Sequence, residues 1–329
     1  MKINAKTLAY LGMMLATMVW GLNFVVVKMA LRAYPVMPFL FLRFAIGGLV
    51  LLGIAMLHPH WREGWRRAPK VKILGLSVVV AVGYVSSALA LRFGVSPGLA
   101  SMLSAMILVV TPSAMWALGH RRPDGSFILA IILSAAALSL VGFSQGAVGH
   151  SHPELGVTLM VVSVFAFSAQ IMILERLTQS VDLVALAGGQ LVSLALLFGV
   201  ATVATGTWSS PPIGAWPMIL FSGLGASGLG FGLQAIAQKH VDGAAIAAIT
   251  ALEPGYAMVF AAIMLGASLP PAFALAVLLL GMASVLETTV GRFILRVICR
   301  ALSDFRDMPD IYRAIQVSYR ASPPRFERD

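Results

Sequence analysis

A single cysteine, Cys299, stands among 329 residues, so the chain can build neither a disulfide framework nor a cysteine-based metal site. Charge is scarce too. Asp, Glu, Lys and Arg make up 11% of the residues, against about 25% in soluble domains. None of the 6 histidines falls inside a clear apolar run, which removes the usual intramembrane proton shuttle and the usual catalytic base. His58 with His60, and His150 with His152 and Glu154, sit in expected loops without a coordination shell, so no metal and no cofactor is expected. No Gly-x-x-x-x-Gly-Lys-Ser/Thr loop occurs, so any work done by the protein draws on a gradient or on downhill flow rather than on ATP.

Apolar sequence is what the chain has in abundance: 59% of residues are hydrophobic and the mean hydropathy is +0.90. Ten runs are long enough to cross a bilayer: Thr7–Leu31, Met37–Leu57, Val71–Leu91, Pro97–Leu118, Phe127–Phe143, Leu155–Leu174, Leu183–Thr205, Ala215–Ala237, Ala244–Leu265 and Ala272–Val290. The fifth is the shortest. Lys2 and Lys6 precede the first run as in a signal peptide, but that run is too long and lacks a small-residue cleavage site, so it reads as a span. The expected fold is an all-α integral membrane protein of ten transmembrane helices, with segments 1–6 and 291–329 outside the membrane.

The formal charge of +10 invites a nucleic-acid reading that its distribution does not support. An N-terminus in the cytoplasm places 19 of the 23 Lys and Arg residues on that side, leaving only Lys28, Arg32, Arg43 and Arg92 elsewhere. The positive-inside rule therefore predicts both termini in the cytoplasm of a cell membrane, most naturally a bacterial inner membrane, with no nucleic-acid partner.

Glu253 and Pro254 lie near the middle of the ninth run. At that depth a carboxylate costs about 2.5–3.5 kcal/mol on insertion scales, so it should face protein or a watery cavity and is a candidate for function. Pro254 donates no backbone hydrogen bond and frees a carbonyl one turn earlier. The alternative is a glutamate held by a neighbouring helix at a packing kink.

An internal repeat emerges from the polar positions. Trp20, Gly21, Asn23 and Lys28 of the first run match Phe167, Ser168, Gln170 and Glu175 of the sixth, each 147 positions on, and Arg43 maps to Gln190 at the same offset. Thr111-Pro112 answers Glu253-Pro254 at an offset of 142. Two five-helix repeats, 7–145 and 155–290, follow. Because five is odd, the second enters the membrane from the opposite side, the inverted arrangement of many secondary transporters.

On TMVWGLNFVVVKMAL in the first helix, PFLFLRF in the second, VVTPSAM in the fourth and LEPGYAM in the ninth, the chain resembles the drug/metabolite transporter superfamily, in its EamA-type branch of ten-helix permeases. The resemblance covers roughly residues 7–290. It implies two inverted bundles around a central cavity, a small metabolite as cargo and, in most members, export. Such permeases often end the fourth and ninth helices in Gly-Glu, where this chain has Gly119-His120 and Gly266-Ala267.

Other short patterns carry no chemistry here. Gly223–Gly228 fits a dinucleotide fingerprint but lies inside an apolar run with no strand before it, so close helix packing, continued at Gly232, is expected instead. Gly94-Val95-Ser96-Pro97-Gly98 fits a nucleophile elbow without its strand-to-helix setting and reads as a turn.

The polar residues inside the runs are Asn23, Arg43, Tyr84, Ser87, Thr111, Gln170, Gln190, Ser227, Gln234, Thr250 and Glu253. Charge, repeat relation and aromatic neighbours select Glu253, Arg43, Asn23, Gln170 and Gln190 as substrate-binding candidates, with Trp20, Tyr84 and Tyr256 as walls. Glu253, Pro254 and Pro112 are the candidates for coupling or gating. Arg43 either holds a substrate carboxylate bidentately or snorkels to the interface. Glu253 either takes a substrate ammonium or exchanges a proton, and both roles make transport pH-dependent. One acid and one base among aromatics suit an amino acid or a related amphipathic compound, whereas a polyanion needs more cavity cations.

Arg292, Arg296 and Arg300 recur at four-residue spacing beyond the last run, as in a basic amphipathic helix on an anionic leaflet, or as a topology-setting patch ahead of a disordered end. Trp61 and Trp65 beside the 62–72 basic loop read as interfacial anchors. The leading expectation is a secondary transporter, not an enzyme, exporting a small metabolite by alternating access. A scaffold or receptor acting through the tail, and a lipid-modifying enzyme, are the alternatives. Oligomeric state is not legible.

Overall fold

The computed structural model describes residues 5–57, 59–119, 125–144, 153–266 and 271–287, and every regular element among them is helical. The first half contains α1 (Ala5–Ala33), α2 (Val36–Leu57), α3 (Pro59–Arg67), α4 (Lys70–Arg92), α5 (Pro97–Ser104), α6 (Ile107–Ala117) and α7 (Gly125–Ser144). The second contains α8 (Pro153–Leu177), α9 (Leu183–Ala204), a 3₁₀ turn (Ile213–Ala215), α10 (Trp216–Leu220), a π-helical segment (Phe221–Leu229), α11 (Gly230–His240), α12 (Gly243–Thr250), α13 (Glu253–Leu265) and α14 (Pro271–Glu287).

Among the described residues eight helical stretches are long and apolar enough to span a membrane. Two shorter apolar helices, Gly125–Ala137 and Pro271–Leu286, follow the fourth and eighth of them. Each half thus repeats one order, four long stretches and a short one. Packing follows the same relation. α2 lies on α9 and α7 on α14, each on its own counterpart, while α1 packs on α11 and α4 on α8. Such exchanged pairing is what two related halves produce about a twofold axis.

The fourth and eighth stretches are each broken, into α5/α6 and α12/α13, and the breaks are related by 146 positions. The caps share the offset. Ser96 Oγ accepts from Leu99 N at 3.1 Å, and Asp242 Oδ1 accepts from Ala245 N at 2.8 Å, so both helices start on a short polar side chain satisfying an otherwise orphaned N–H. The Thr111-Pro112/Glu253-Pro254 match at 142 is therefore not the structural one, and Ile107 is the counterpart of Glu253. Pro112 sits inside α6, whereas Pro254 opens α13, where a missing N–H costs nothing.

Residues 62–67, expected in a loop, belong to α3. Its apolar content is Trp61 and Trp65, it buries no residue, and Arg67 Nε donates to Glu63 Oε1 at 2.7 Å one turn earlier. Trp65 lies close against Gly188 of α9, and His60 Nε2 is 3.7 Å from Asp182 Oδ2. The glycine-rich stretch packs closely, as expected. A Cβ on Gly47 of α2 would come within 2.7 Å of the Gly223 carbonyl. Gly232, by contrast, faces open space. Gly94 turns with φ 103° ahead of α5. The readings of Lys2, His58, His120, Arg121, Arg122, His150, His152, Ala267 and the basic segment 291–329 fall outside the described residues.

Candidate functional site

Between the two halves lies a cavity of about 100 Å³ open to water-sized groups, room for several waters or a compact solute. α1 contributes Trp20, Asn23, Phe24 and Val27, and α4 contributes Tyr84, Ser87, Ala88 and Leu91. Both sets have the i, i+3, i+4, i+7 spacing of one helix face. α8 adds Val164, Phe167, Gln170 and Ile171. Leu40 and Arg43 come from α2, Phe231 and Gln234 from α11, and Ser104, Ile107, Thr250 and Glu253 from the helix breaks.

Most of the lining is built of repeat-related pairs. At an offset of 147 stand Trp20 with Phe167, Asn23 with Gln170, Phe24 with Ile171, Tyr84 with Phe231, and Ser87 with Gln234. At an offset of 146 stand Ser104 with Thr250 and Ile107 with Glu253. The charges break this symmetry: Arg43 comes only from the first half and Glu253 only from the second.

Arg43 is 2% exposed. Its Nε donates to Ser227 Oγ at 2.8 Å, and its guanidinium carbon lies 4.7 Å from the Tyr84 ring centroid and 5.1 Å from that of Phe44, a cation–π seat. Tyr84 is itself clamped, edge-on to Phe167 at 5.0 Å and stacked on Phe231 at 6.2 Å. Glu253 is 6% exposed, at the first turn of α13, where the positive end of the helix dipole favours an anion. Among the described residues no cation lies within 4 Å of its carboxylate, and no carboxylate lies that close to Arg43. Across the cavity Gln170 Nε2 donates to Gln234 Oε1 at 3.4 Å.

The π segment supports this wall from behind. Ser222 Oγ donates to Asn23 Oδ1 at 2.7 Å, Trp20 Nε1 donates to the Ala226 carbonyl at 2.8 Å, and Ser227 accepts from Arg43. At the end where α1 and α4 finish, Lys28 Nζ donates to the carbonyls of Leu91 at 2.6 Å and Val95 at 3.2 Å, while Arg92 Nη1 returns a bond to the Leu31 carbonyl. These contacts tie the two helices together beside the cavity residues Val27 and Leu91.

Six of the candidates read from sequence, Trp20, Asn23, Arg43, Tyr84, Gln170 and Glu253, meet at this cavity. Gln190 and Tyr256 do not line it. Gln190 is buried on α9, where its carbonyl accepts from Ser77 Oγ at 3.3 Å and its Nε2 has no partner among the described residues. Tyr256 packs against Gly21 between α13 and α1. Pro254 and Pro112 are both buried, but only Pro254 adjoins a lining residue, Glu253. Sequence reasoning did not select Phe24, Ser87, Ser104, Phe231, Gln234 or Thr250 as site residues. Carrying the 147 offset from Tyr84 and Ser87 would have found Phe231 and Gln234.

A multi-pass helical membrane protein with a buried, partly polar cavity between two related halves defines a membrane-transporter architecture. The EamA-like transporter family model matches residues 7–143 and 154–289. The chain belongs to that family, with the unit present twice, and hence to the drug/metabolite transporter superfamily, whose members are transporters rather than enzymes. No curated protein matches the chain significantly. One solved crystal structure of a protein is similar to it with a TM-score of 0.70 at 17% identity, covering 86% of this chain and 98% of that one, a likeness of fold.

Proposed function

We propose that the protein is a secondary transporter that exports a small zwitterionic metabolite, an amino acid or a related amphipathic compound, by alternating access. The observation that carries this reading is the pair Arg43 and Glu253, both buried, facing one cavity and not paired with each other. A buried charge without a counter-charge is costly, and a ligand bearing a carboxylate and an ammonium relieves both costs at once. Trp20, Tyr84, Phe167 and Phe231 supply the apolar and aromatic wall for the rest of the cargo. Arg43 is the only Lys or Arg among the described residues that line the cavity, which disfavours polyanions.

In this reading the ten apolar helices all span the membrane as two inverted five-helix repeats, with both termini in the cytoplasm of a bacterial inner membrane. The predominance of Lys and Arg on one side supports that orientation. Glu253 and Pro254, at the α12/α13 break, form the coupling site. The basic segment 291–329 rests on anionic lipid.

Counterflow into liposomes tests the cargo class. Labelled amino acids should exchange saturably, with decarboxylated and deaminated analogues at least tenfold poorer competitors. Exchange of a sugar phosphate with none of any amino acid would contradict the assignment.

A further inference from the structure

The π segment Phe221–Leu229 has no equivalent in the first half, where the corresponding residues 74–82 lie within the α-helix α4. Its hydrogen-bond register is seen at its end, where the Gly230 N–H reaches the Gly225 carbonyl, five residues back. Nine residues in this register are unusual, and π insertions concentrate at functional sites. Geometry explains what this one does. Ser222 and Ser227 are five residues apart, and in a regular α-helix they would point about 140° apart. The i→i+5 repeat stacks them on one face instead. From that face Ser222 bonds Asn23 on α1 and Ser227 bonds Arg43 on α2.

The two bonds also select which atoms remain for a ligand. Ser222 occupies the Asn23 carbonyl oxygen, leaving the amide NH₂, a donor. Ser227 takes the Arg43 Nε–H and Tyr84 takes a further hydrogen bond from the guanidinium, leaving the remaining Nη hydrogens as donors for a carboxylate. The Ala226 carbonyl occupies the Trp20 N–H, leaving the ring. We propose that the π segment is the positioning element of the cavity, with Ser227 and Ser222 aligning Arg43 and Asn23 as a donor pair for the substrate carboxylate. This inference rests on the transport reading above for its ligand, but not for its geometry.

Two measurements on the full chain test it. In liposomes, labelled L-leucine counterflow is competed with unlabelled leucine and with leucinamide, which lacks the carboxylate. Ser227→Ala and Ser222→Ala should each raise half-saturation for leucine several-fold with the maximal rate kept. Both should also erase most of the preference over the amide, and Ser227→Thr should restore it. In nanodiscs, spectra of ¹⁵N-arginine-labelled protein should show the Arg43 Nε–H protected from exchange in wild type and Ser227→Thr, and unprotected in Ser227→Ala. Wild-type selectivity in both alanine variants, or a protected Nε–H in Ser227→Ala, would overturn the proposal. If wild type exchanges no amino acid, the cargo class fails and the spectrum decides the positioning role alone.

Discussion

Arg43 and Glu253 face one cavity from opposite halves of the chain, both buried and neither with a counter-charge within 4 Å among the described residues. Within a lining built mostly of repeat-related pairs, they are what gives the site a direction, a guanidinium on one side and a carboxyl group on the other. Charge is not the whole of the Arg43 contribution. Its planar guanidinium sits on Tyr84 and bonds Ser227 while keeping further donors for a ligand, and a compact lysine ammonium cannot do all of this from one position. Arg43→Lys should therefore raise half-saturation for a carboxylate-bearing cargo about tenfold or more, the loss of a charge-assisted bond of ~1.5–3 kcal/mol. Initial rates of counterflow across a concentration series check this.

The two prolines should behave differently. Pro254→Ala returns an N–H that can reach the Thr250 carbonyl and close the α12/α13 break, so flux should fall well below wild type. Pro112 lies inside α6, away from the α5/α6 break at residues 105–106, and Pro112→Ala should keep flux while raising thermal stability, since proline in a helix interior costs about 3 kcal/mol. Flux and unfolding midpoints of both variants, measured side by side, decide.

Glycine substitutions give a packing test. A Cβ at Gly223 would sit 2.9 Å from Ile46 Cβ and 3.0 Å from the Arg43 carbonyl, so Gly223→Ala should destabilise by about 1–3 kcal/mol. Gly232, nine residues on, meets nothing within 4 Å. There Gly232→Ala should be neutral or stabilising by about 0.4–1 kcal/mol. Thermal unfolding in detergent separates the two.

The Lys28 and Arg92 bonds tie α1 to α4 at one end of the cavity. Loosening them should open that end. Replacing Cys299, the sole cysteine, by serine gives a thiol-free background in which Ala88→Cys reports access to the cavity wall. Adding Lys28→Met should speed its labelling by an impermeant maleimide about tenfold, the equivalent of ~1.4 kcal/mol, and only from the face where α1 and α4 end.

How much of this was legible depended on which physical signal each residue leaves in sequence. Hydropathy found the helices because apolar runs of bilayer length admit few other structures. The 147 offset paired Trp20 with Phe167 and Asn23 with Gln170, and both pairs meet at the cavity, because equal spacing on related helices puts equivalent residues on equivalent faces. The same offset led from Arg43 to Gln190, which the α4–α9 contact buries away from the cavity. An offset gives position on a helix, not what the neighbouring helix covers. Pairing the two prolines misaligned the helix breaks, since a break need not sit at a proline: α5 ends at Ser104, eight residues before Pro112 in the middle of α6. The π segment left no mark beyond its glycines, because register within a helix depends on what its side chains bond, and Ser222 and Ser227 bond residues about two hundred positions away. The α3 helix was hidden by its charge, which reads as loop until Trp61 and Trp65 are given a surface to lie on.

The most direct test of the central claim is counterflow of labelled amino acids in liposomes at two pH values, with wild type and Glu253→Gln compared in parallel. The account predicts saturable exchange of at least one amino acid, pH-dependent in wild type and either lost or made pH-independent in the variant. Wild-type exchange with an unchanged pH profile in Glu253→Gln would contradict it and return Glu253 to a packing role.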